Sequence, residues 1–405
     1  MTARLLVSGV RVLTPGGEWP RGWIAVEGRR IAAMGQGEPP PGAGAGAGAD
    51  LLAADGLVAM PGFIDLHAHG AVGSDVMDAD PDGLRRMARF YAGHGVTAWL
   101  AATMTDTAPD TERALEAVRA AAGPVEGGAT ILGAYLEGPY LNPERAGAQD
   151  AALIRPADRA EAARLVDHGV VRVLVIAPEV EGNRWLVAEA AARGVTVSAG
   201  HTDATYDQAL QAVADGVGHV THAFNAMRPL GHREPGMLGA ALVVPELRCE
   251  LVADNVHVHP AAMRLLVTAK GTGGVVLVSD AMRATGLPDG AYTVGDRPAF
   301  SMDGAIRLGD GTLAGSVLTL DQALHNLQAA TGRPLAELWP AASRNAAQAI
   351  GVDDAKGTLE PGKDADLVLL DPALRVVVTV AEGAVVHGGD RLPRRPAPAG
   401  RAPPS

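Results

Sequence analysis

Through the middle of the chain, from Gly62 to about Met282, short apolar runs alternate with stretches in which Ala, Leu and Val recur at helical spacing between Arg, Glu and Asp. An unbroken apolar run bounded by turn residues predicts a buried strand, and the stretch after it predicts an amphipathic helix. Eight such strands are predicted, at residues 63–69, 96–103, 130–137, 171–178, 195–201, 220–224, 249–254 and 275–280. Strands that alternate with helices in this way predict an α/β fold, and eight units predict a (β/α)8 TIM barrel with its chemistry at the C-terminal strand ends.

The two chain ends have a different texture. Residues 5–13, 23–26, 31–34 and 57–60 read as short strands between turns, and 363–371 and 374–386 repeat the pattern near the other end. The expected organisation is a small β-sandwich domain built from residues 1–58 and 358–390, with the barrel spanning 59–357 between them. Residues 39–49 (PPPGAGAGAGA in outline) are of low complexity and read as a solvated loop, and 391–405 read as a disordered tail.

Composition narrows the function. The chain of 405 residues is 47% apolar, 20% charged and only 3% aromatic, with a formal net charge of −12. That balance disfavours nucleic-acid binding, which needs clustered Lys and Arg to displace counterions. No apolar run is long enough to span a membrane, and the first residues lack the pattern of a signal peptide. A single cysteine, Cys249, can form neither an internal disulfide nor a cysteine zinc site, so a cytoplasmic protein is expected and any metal must use His and carboxylates.

The predicted strand ends supply such groups. Strand one ends in Asp65-Leu66-His67-Ala68-His69, and residues two apart on a strand share a face, so both imidazoles point to one spot in the barrel mouth. Strand three ends at Glu137, strand five at His201, strand six carries His222, and strand eight ends at Asp280. Neutral imidazoles with carboxylates suit Zn²⁺ or Fe²⁺, and the set is large enough for two ions sharing a bridge. The lysines are Lys270, Lys356 and Lys363, so no lysine in the first six strands can serve as a carboxylated bridge. Glu137 is the best-placed bridging anion, with Glu179 after strand four as runner-up or as an arginine partner. His219, three residues before His222, is expected on the opposite face in a structural role, and His94, His168, His325 and His387 are expected to be solvated or to cap helices.

Nine segments together resemble the N-acetylglucosamine-6-phosphate deacetylases of the amidohydrolase superfamily. They are PGFIDLHAHG at 61–70, LEGPYLNP at 136–143, AGHT at 199–202, THAFNAM at 221–227, REPG at 233–236, VSDA at 278–281 and LAGS at 313–316, followed by SRNA at 343–346 and GTLEPG at 357–362. The resemblance covers about residues 4–385. It implies Glu137, His201 and His222 as ligands of a principal divalent metal, with His67 and His69 completing a second site bridged by Glu137. Zinc is the expected metal, iron the alternative, at one or two ions per subunit. Asp280 is implied as the catalytic acid/base. Asn225, the backbone amide of Ala226, Arg233 and His257 are implied to hold a substrate phosphate, some of them across a homodimer interface, and Leu313, Ala314 and Gly315 to line the substrate. In place of a histidine usual in the family, this chain has Gln149, which leaves the polarising of the acyl carbonyl to the metal or to the glutamine amide.

An unactivated amide requires a water nucleophile, a polarised carbonyl and a proton for the departing amine. A metal serves the first two needs and Asp280 the third. Together with this chemistry, the resemblance implies hydrolysis of N-acetylglucosamine 6-phosphate to glucosamine 6-phosphate and acetate, in amino-sugar catabolism and cell-wall recycling. The alternatives are an amidohydrolase acting on a different N-acyl amino sugar, a cyclic amide or a dipeptide, and a non-enzymatic barrel scaffold. Retention of all five metal positions and of Asp280 argues against the scaffold.

Overall fold

The computed structural model describes residues 4–41, 50–391 and 394–396. Eight parallel strands follow one another in chain order: Phe63–Ala68, Val96–Ala102, Thr130–Glu137, Val171–Ile176, Thr196–Ala199, Val217–Val220, Arg248–Leu251 and Val275–Leu277. Ala281 bridges back to Ala68 in parallel, and the Asp280 N–H donates to the His67 carbonyl at 2.8 Å, which brings the last strand against the first. This is the TIM barrel that the alternation predicts. Every residue of Val96–Ala102 (VTAWLAA) is buried, because a parallel strand is covered on both faces.

The helix Pro81–Gly93 shows how local sequence sets these units. Asp80 caps it by accepting from the Asp82 N–H, Pro81 occupies the first turn, and Leu84, Met87, Ala88 and Tyr91 bury one stripe at helical spacing. The chain leaves the helix through Gly95 in the left-handed region.

Three of the predicted strands that carry candidate site residues need correction. The fifth ends at Ala199 and the eighth at Leu277, and the sixth lies at Val217–Val220, not 220–224. The chain turns sharply just beyond each, with φ of 48° at His201, 27° at His222 and 51° at Asp280. Positive φ cannot continue a strand, and for a non-glycine residue it costs about 1–3 kcal/mol. The residues expected as strand termini are therefore held in strained turns on top of the strands.

Between the eighth barrel strand and the helix Leu320–Thr331 stands an antiparallel four-stranded meander, Gly290–Val294, Arg297–Met302, Ala305–Leu308 and Leu313–Ser316, which the sequence reading did not anticipate. Its last strand docks beside the barrel, with the Ser316 N–H donating to the Asp280 carbonyl at 2.8 Å. That contact carries residues 313–315 to the mouth.

The chain ends join in one nine-stranded sheet, in which Leu367–Leu370 pairs antiparallel with Val58–Pro61 and the long strand Arg4–Thr14 lies at the centre. Val7, Val12, Ile24, Leu367, Leu369 and Val378 close a second apolar core there. Buried Lys356 ties this unit to the barrel end through Asp364, Asp366 and Glu382 at 2.8–3.2 Å. Arg394–Pro396, within the tail read as disordered, instead pairs with the open edge at residues 50–52; the rest of that reading, and most of the low-complexity loop, lie outside the described residues. Among the described residues no helix is long and apolar enough to cross a membrane.

Candidate metal centre

The barrel mouth brings the predicted ligands together as two buried groups, His67 with His69 and Asp280, and Glu137 with His201 and His222. His67 and His69 face each other with Nε2 atoms 3.1 Å apart, and His201 and His222 do the same at 3.1 Å. The ring nitrogens on the far side explain these orientations. His69 Nδ1 donates to the Ala102 carbonyl at 3.1 Å and His201 Nδ1 to the Arg145 carbonyl at 2.9 Å, so in the neutral, metal-binding form of each ring Nε2 turns its lone pair into the site.

The donor set fits a divalent cation. Bonds of about 2.0–2.2 Å in a tetrahedral site place neighbouring ligand atoms about 3.3 Å apart. Glu137 Oε1 lies 3.1 Å from His222 Nε2 and 3.3 Å from His201 Nε2. Its other oxygen, Oε2, is 3.4 Å from His69 Nε2, so one carboxylate spans both groups in the manner expected of a bridge. Asp280 Oδ1 sits 3.4 Å from His69 Nε2 and 3.7 Å from His67 Nε2, close enough to act as a ligand of the same ion or as a base beside it.

Electrostatics reinforce the geometry. Burial would raise the Glu137 carboxyl, but His67, His201 and His222 outweigh it and hold the group well below the usual range. Burial likewise opposes protonation of His69, yet Asp280 and Glu137 push it up to about 9. For Asp280 the upward push of burial is overcome by His69, His67 and His222, so the carboxylate is ionised at neutral pH. In the metal-free protein, protons on imidazoles neutralise what a cation would otherwise neutralise.

Above these groups opens a cavity of about 270 Å³, near the lower end of small-molecule pockets. Asp280, Gln149, Asn225, Ala226 and His257 line it, and Leu313, Ala314 and Gly315 arrive from the meander. Asn225 Nδ2 turns back onto the carbonyls of His222 and Ala223. His257 Nδ1 pairs with Asp254 at 2.6 Å, and although burial opposes it, this carboxylate raises the imidazole above its ordinary value. Arg233 is not brought to the cavity; it is exposed on the loop before the helix Gly236–Val243. No ion pair joins it to Glu234, whose Oε1 instead accepts from the N–H groups of Tyr206 and Gly236.

The runner-up bridge is corrected. Glu179 accepts from Asn142, from the Thr202 hydroxyl and from the Asp203 N–H, away from both metal groups and without an arginine. His219 keeps its structural reading, bonded to Glu250 at 3.2 Å. His94 caps the helix Pro81–Gly93 and pairs with Asp321, while His168 pairs with Glu116.

Some residues at the site were not foreseen. Met104, Ala148 and Met282 form an apolar wall of the cavity, and the position of Met104 just past a strand end was the only sequence signal. Asp65, raised by burial to about 6, accepts from the His67 and Ser279 N–H groups and holds the first and last strands in register. Glu250 lies beneath His67, and its signal was a carboxylate set between Cys249 and Leu251 within a short strand.

The chain is similar to known proteins over most of its length. The amidohydrolase family model matches residues 58–389. The chain is 34% identical to the N-acetylglucosamine-6-phosphate deacetylase of Bacillus subtilis, covering 95% of this chain and 98% of the relative. It is 39% identical to an N-acetylgalactosamine-6-phosphate deacetylase of Escherichia coli O157:H7, covering 88% and 93%. Among solved structures it superposes with a TM-score of 0.87 on a mutant N-acetyl-D-glucosamine-6-phosphate deacetylase from Mycobacterium smegmatis in complex with N-acetyl-D-glucosamine-6-phosphate, at 34% identity and 95% and 99% coverage.

Proposed function

The chain belongs to the amidohydrolase family, among its N-acetylglucosamine-6-phosphate deacetylases, and on that premise we propose that it hydrolyses N-acetylglucosamine 6-phosphate to glucosamine 6-phosphate and acetate. The observation that carries this reading is Glu137 reaching both histidine pairs in the cavity that also holds Asp280 and His257.

The two groups would hold one or two divalent cations, with zinc as the first candidate and iron the second, both suited to imidazole and carboxylate donors. Such a cation lowers the pKa of water and polarises a carbonyl. Asp280, ionised beside His69, accepts the proton of the attacking water and passes it to the sugar nitrogen as the C–N bond breaks. Gln149, whose Nε2 otherwise meets only Glu137 and the Met104 sulfur, has an N–H available to the acyl oxygen. The wall of Met104, Ala148 and Met282 suits the acetyl methyl.

His257, whose imidazole Asp254 raises above its ordinary value, is suited to a phosphate. The exposure of Arg233 supports the reading that its phosphate contact is made to a second subunit, within a homodimer. An anionic sugar phosphate as substrate supports a cytoplasmic location.

A second reading, deacetylation of N-acetylgalactosamine 6-phosphate, is favoured by the 39% identity to the Escherichia coli relative. One experiment separates these readings: acetate release from both 6-phosphates and from free N-acetylglucosamine, with metal content measured on the same protein. Release from N-acetylglucosamine 6-phosphate at least ten times faster than from the other two, abolished by chelator, is expected. A preference for the galactosamine ester supports the second reading, and no release from either ester by fully loaded protein refutes both.

A further inference from the structure

We propose that Glu250 is a positioning residue that sets the affinity of the His67 and His69 site for its cation through the His67 ring, while pinning the backbone that carries His222. The inference rests on the two-site reading above.

Glu250 lies within the seventh barrel strand, fully buried, below the cavity and not in its wall. Its Oε2 accepts from His67 Nδ1 at 3.1 Å and from the His222 backbone N–H at 3.1 Å, and its Oε1 accepts from His219 Nε2 at 3.2 Å. An ionised carboxylate only accepts, so these contacts place the His67 proton on Nδ1 and turn a bare Nε2 toward His69 and Asp280. Tyr135 stacks on the His67 ring with centroids 4.3 Å apart, so the ring is held at its edge by Glu250 and on its face by Tyr135.

No arginine or lysine reaches Glu250 in any of these contacts. A buried carboxylate without a cationic side chain needs compensation, and an imidazole that gains positive charge when its Nε2 binds a cation supplies it. The carboxylate and the cation thus stabilise each other through one ring. Because the same oxygen holds the His222 backbone, a ligand from each group depends on this one side chain. Carboxylates in this relation to a metal-bound histidine typically change metal affinity by about 10–100-fold.

The test is zinc affinity measured by chelator competition on the full chain. Glu250→Gln keeps the volume and an acceptor but loses the charge. It is expected to bind one of two equivalents about 10–100-fold more weakly, to shift the visible spectrum of the cobalt-substituted His67 site, and to melt near the parent when metal-free. In a His67→Asn background the same substitution should leave the remaining equivalent unchanged. Two equivalents with parental affinities in Glu250→Gln overturn the proposal alone, as does an equal loss at both sites with a lowered melting point of the metal-free chain. A single equivalent in the parent overturns the two-site reading and this proposal with it. Should Glu250→Gln fail to fold, Glu250→Asp against Glu250→Asn repeats the comparison: tighter binding by the charged variant supports the coupling, and equal affinities overturn it.

Discussion

Gln149 donates its side-chain N–H to Glu137 Oε2 at 2.7 Å, while the Thr105 N–H donates to Gln149 Oε1 at 2.7 Å and so fixes which end of the amide faces the carboxylate. This residue, where the family resemblance implies a histidine, thereby holds the second oxygen of the candidate bridging carboxylate. Gln149→Leu is expected to remove a hydrogen bond to a charged group, worth about 1.5–3 kcal/mol, and so to weaken metal binding and turnover together by about 10–100-fold. Metal titration alongside steady-state kinetics checks this; unchanged metal affinity would confine Gln149 to the acyl group.

Asp280 is the one carboxylate that lines the cavity, lies against His69 and is not shared between the two groups. Asp280→Asn keeps its size and removes its proton chemistry. Turnover should fall by about 10² or more with the protein still loaded, the usual scale for a lost general acid/base. Near-normal turnover in that variant at full metal content would sink the assignment.

On the proposed reading, phosphate recognition would divide between His257 in the cavity and Arg233 outside it. His257→Ala is expected to lower kcat/KM for the 6-phosphate ester by about 10²-fold while barely changing the poor rate on the free sugar, since a charged contact is worth a few kcal/mol and each 1.4 kcal/mol is tenfold. Arg233→Ala should show the same bias. If Arg233 serves a neighbouring subunit, mixed Arg233→Ala and Asp280→Asn chains should regain activity, because a hybrid dimer contains one site with both residues intact. Equal losses on both sugars would remove the phosphate role.

Metal removal should change the sign of the pH response. His69 is pushed up to about 9 in the folded metal-free chain, above its ordinary value near 6.5. A group with a raised folded pKa contributes stability that is fully present below the unfolded value and is lost as pH rises through the folded one. The denaturant midpoint of chelator-treated protein should therefore fall between about pH 6.5 and 9. Metal-loaded protein should not lose stability in that window, because cation binding displaces the proton and tightens as pH rises. Parallel curves for the two forms would contradict the placement of the cation at His69.

The sequence by itself determined the barrel, the split β-domain and the identity of the candidate metal-binding groups. Strand and helix periods are local properties, and the spacing of His67 and His69 already puts both rings on one face of one strand. Tertiary structure decided what depends on distant pairing or on backbone turns. Glu250 meets His67 across 183 positions of chain, a contact no spacing rule contains. The left-handed turns at His201, His222 and Asp280 arise where strands stop, so alternation extended through them misplaced the ends of strands five, six and eight. The meander that brings Leu313, Ala314 and Gly315 to the cavity is likewise placed by its hydrogen bond to Asp280, and Arg233, legible as a loop residue, took its exposed position only from how that loop folds outside the barrel mouth. Local periodicity follows from the geometry of neighbouring residues, whereas the direction of a side chain beyond a strand end is set by the elements that pack against it.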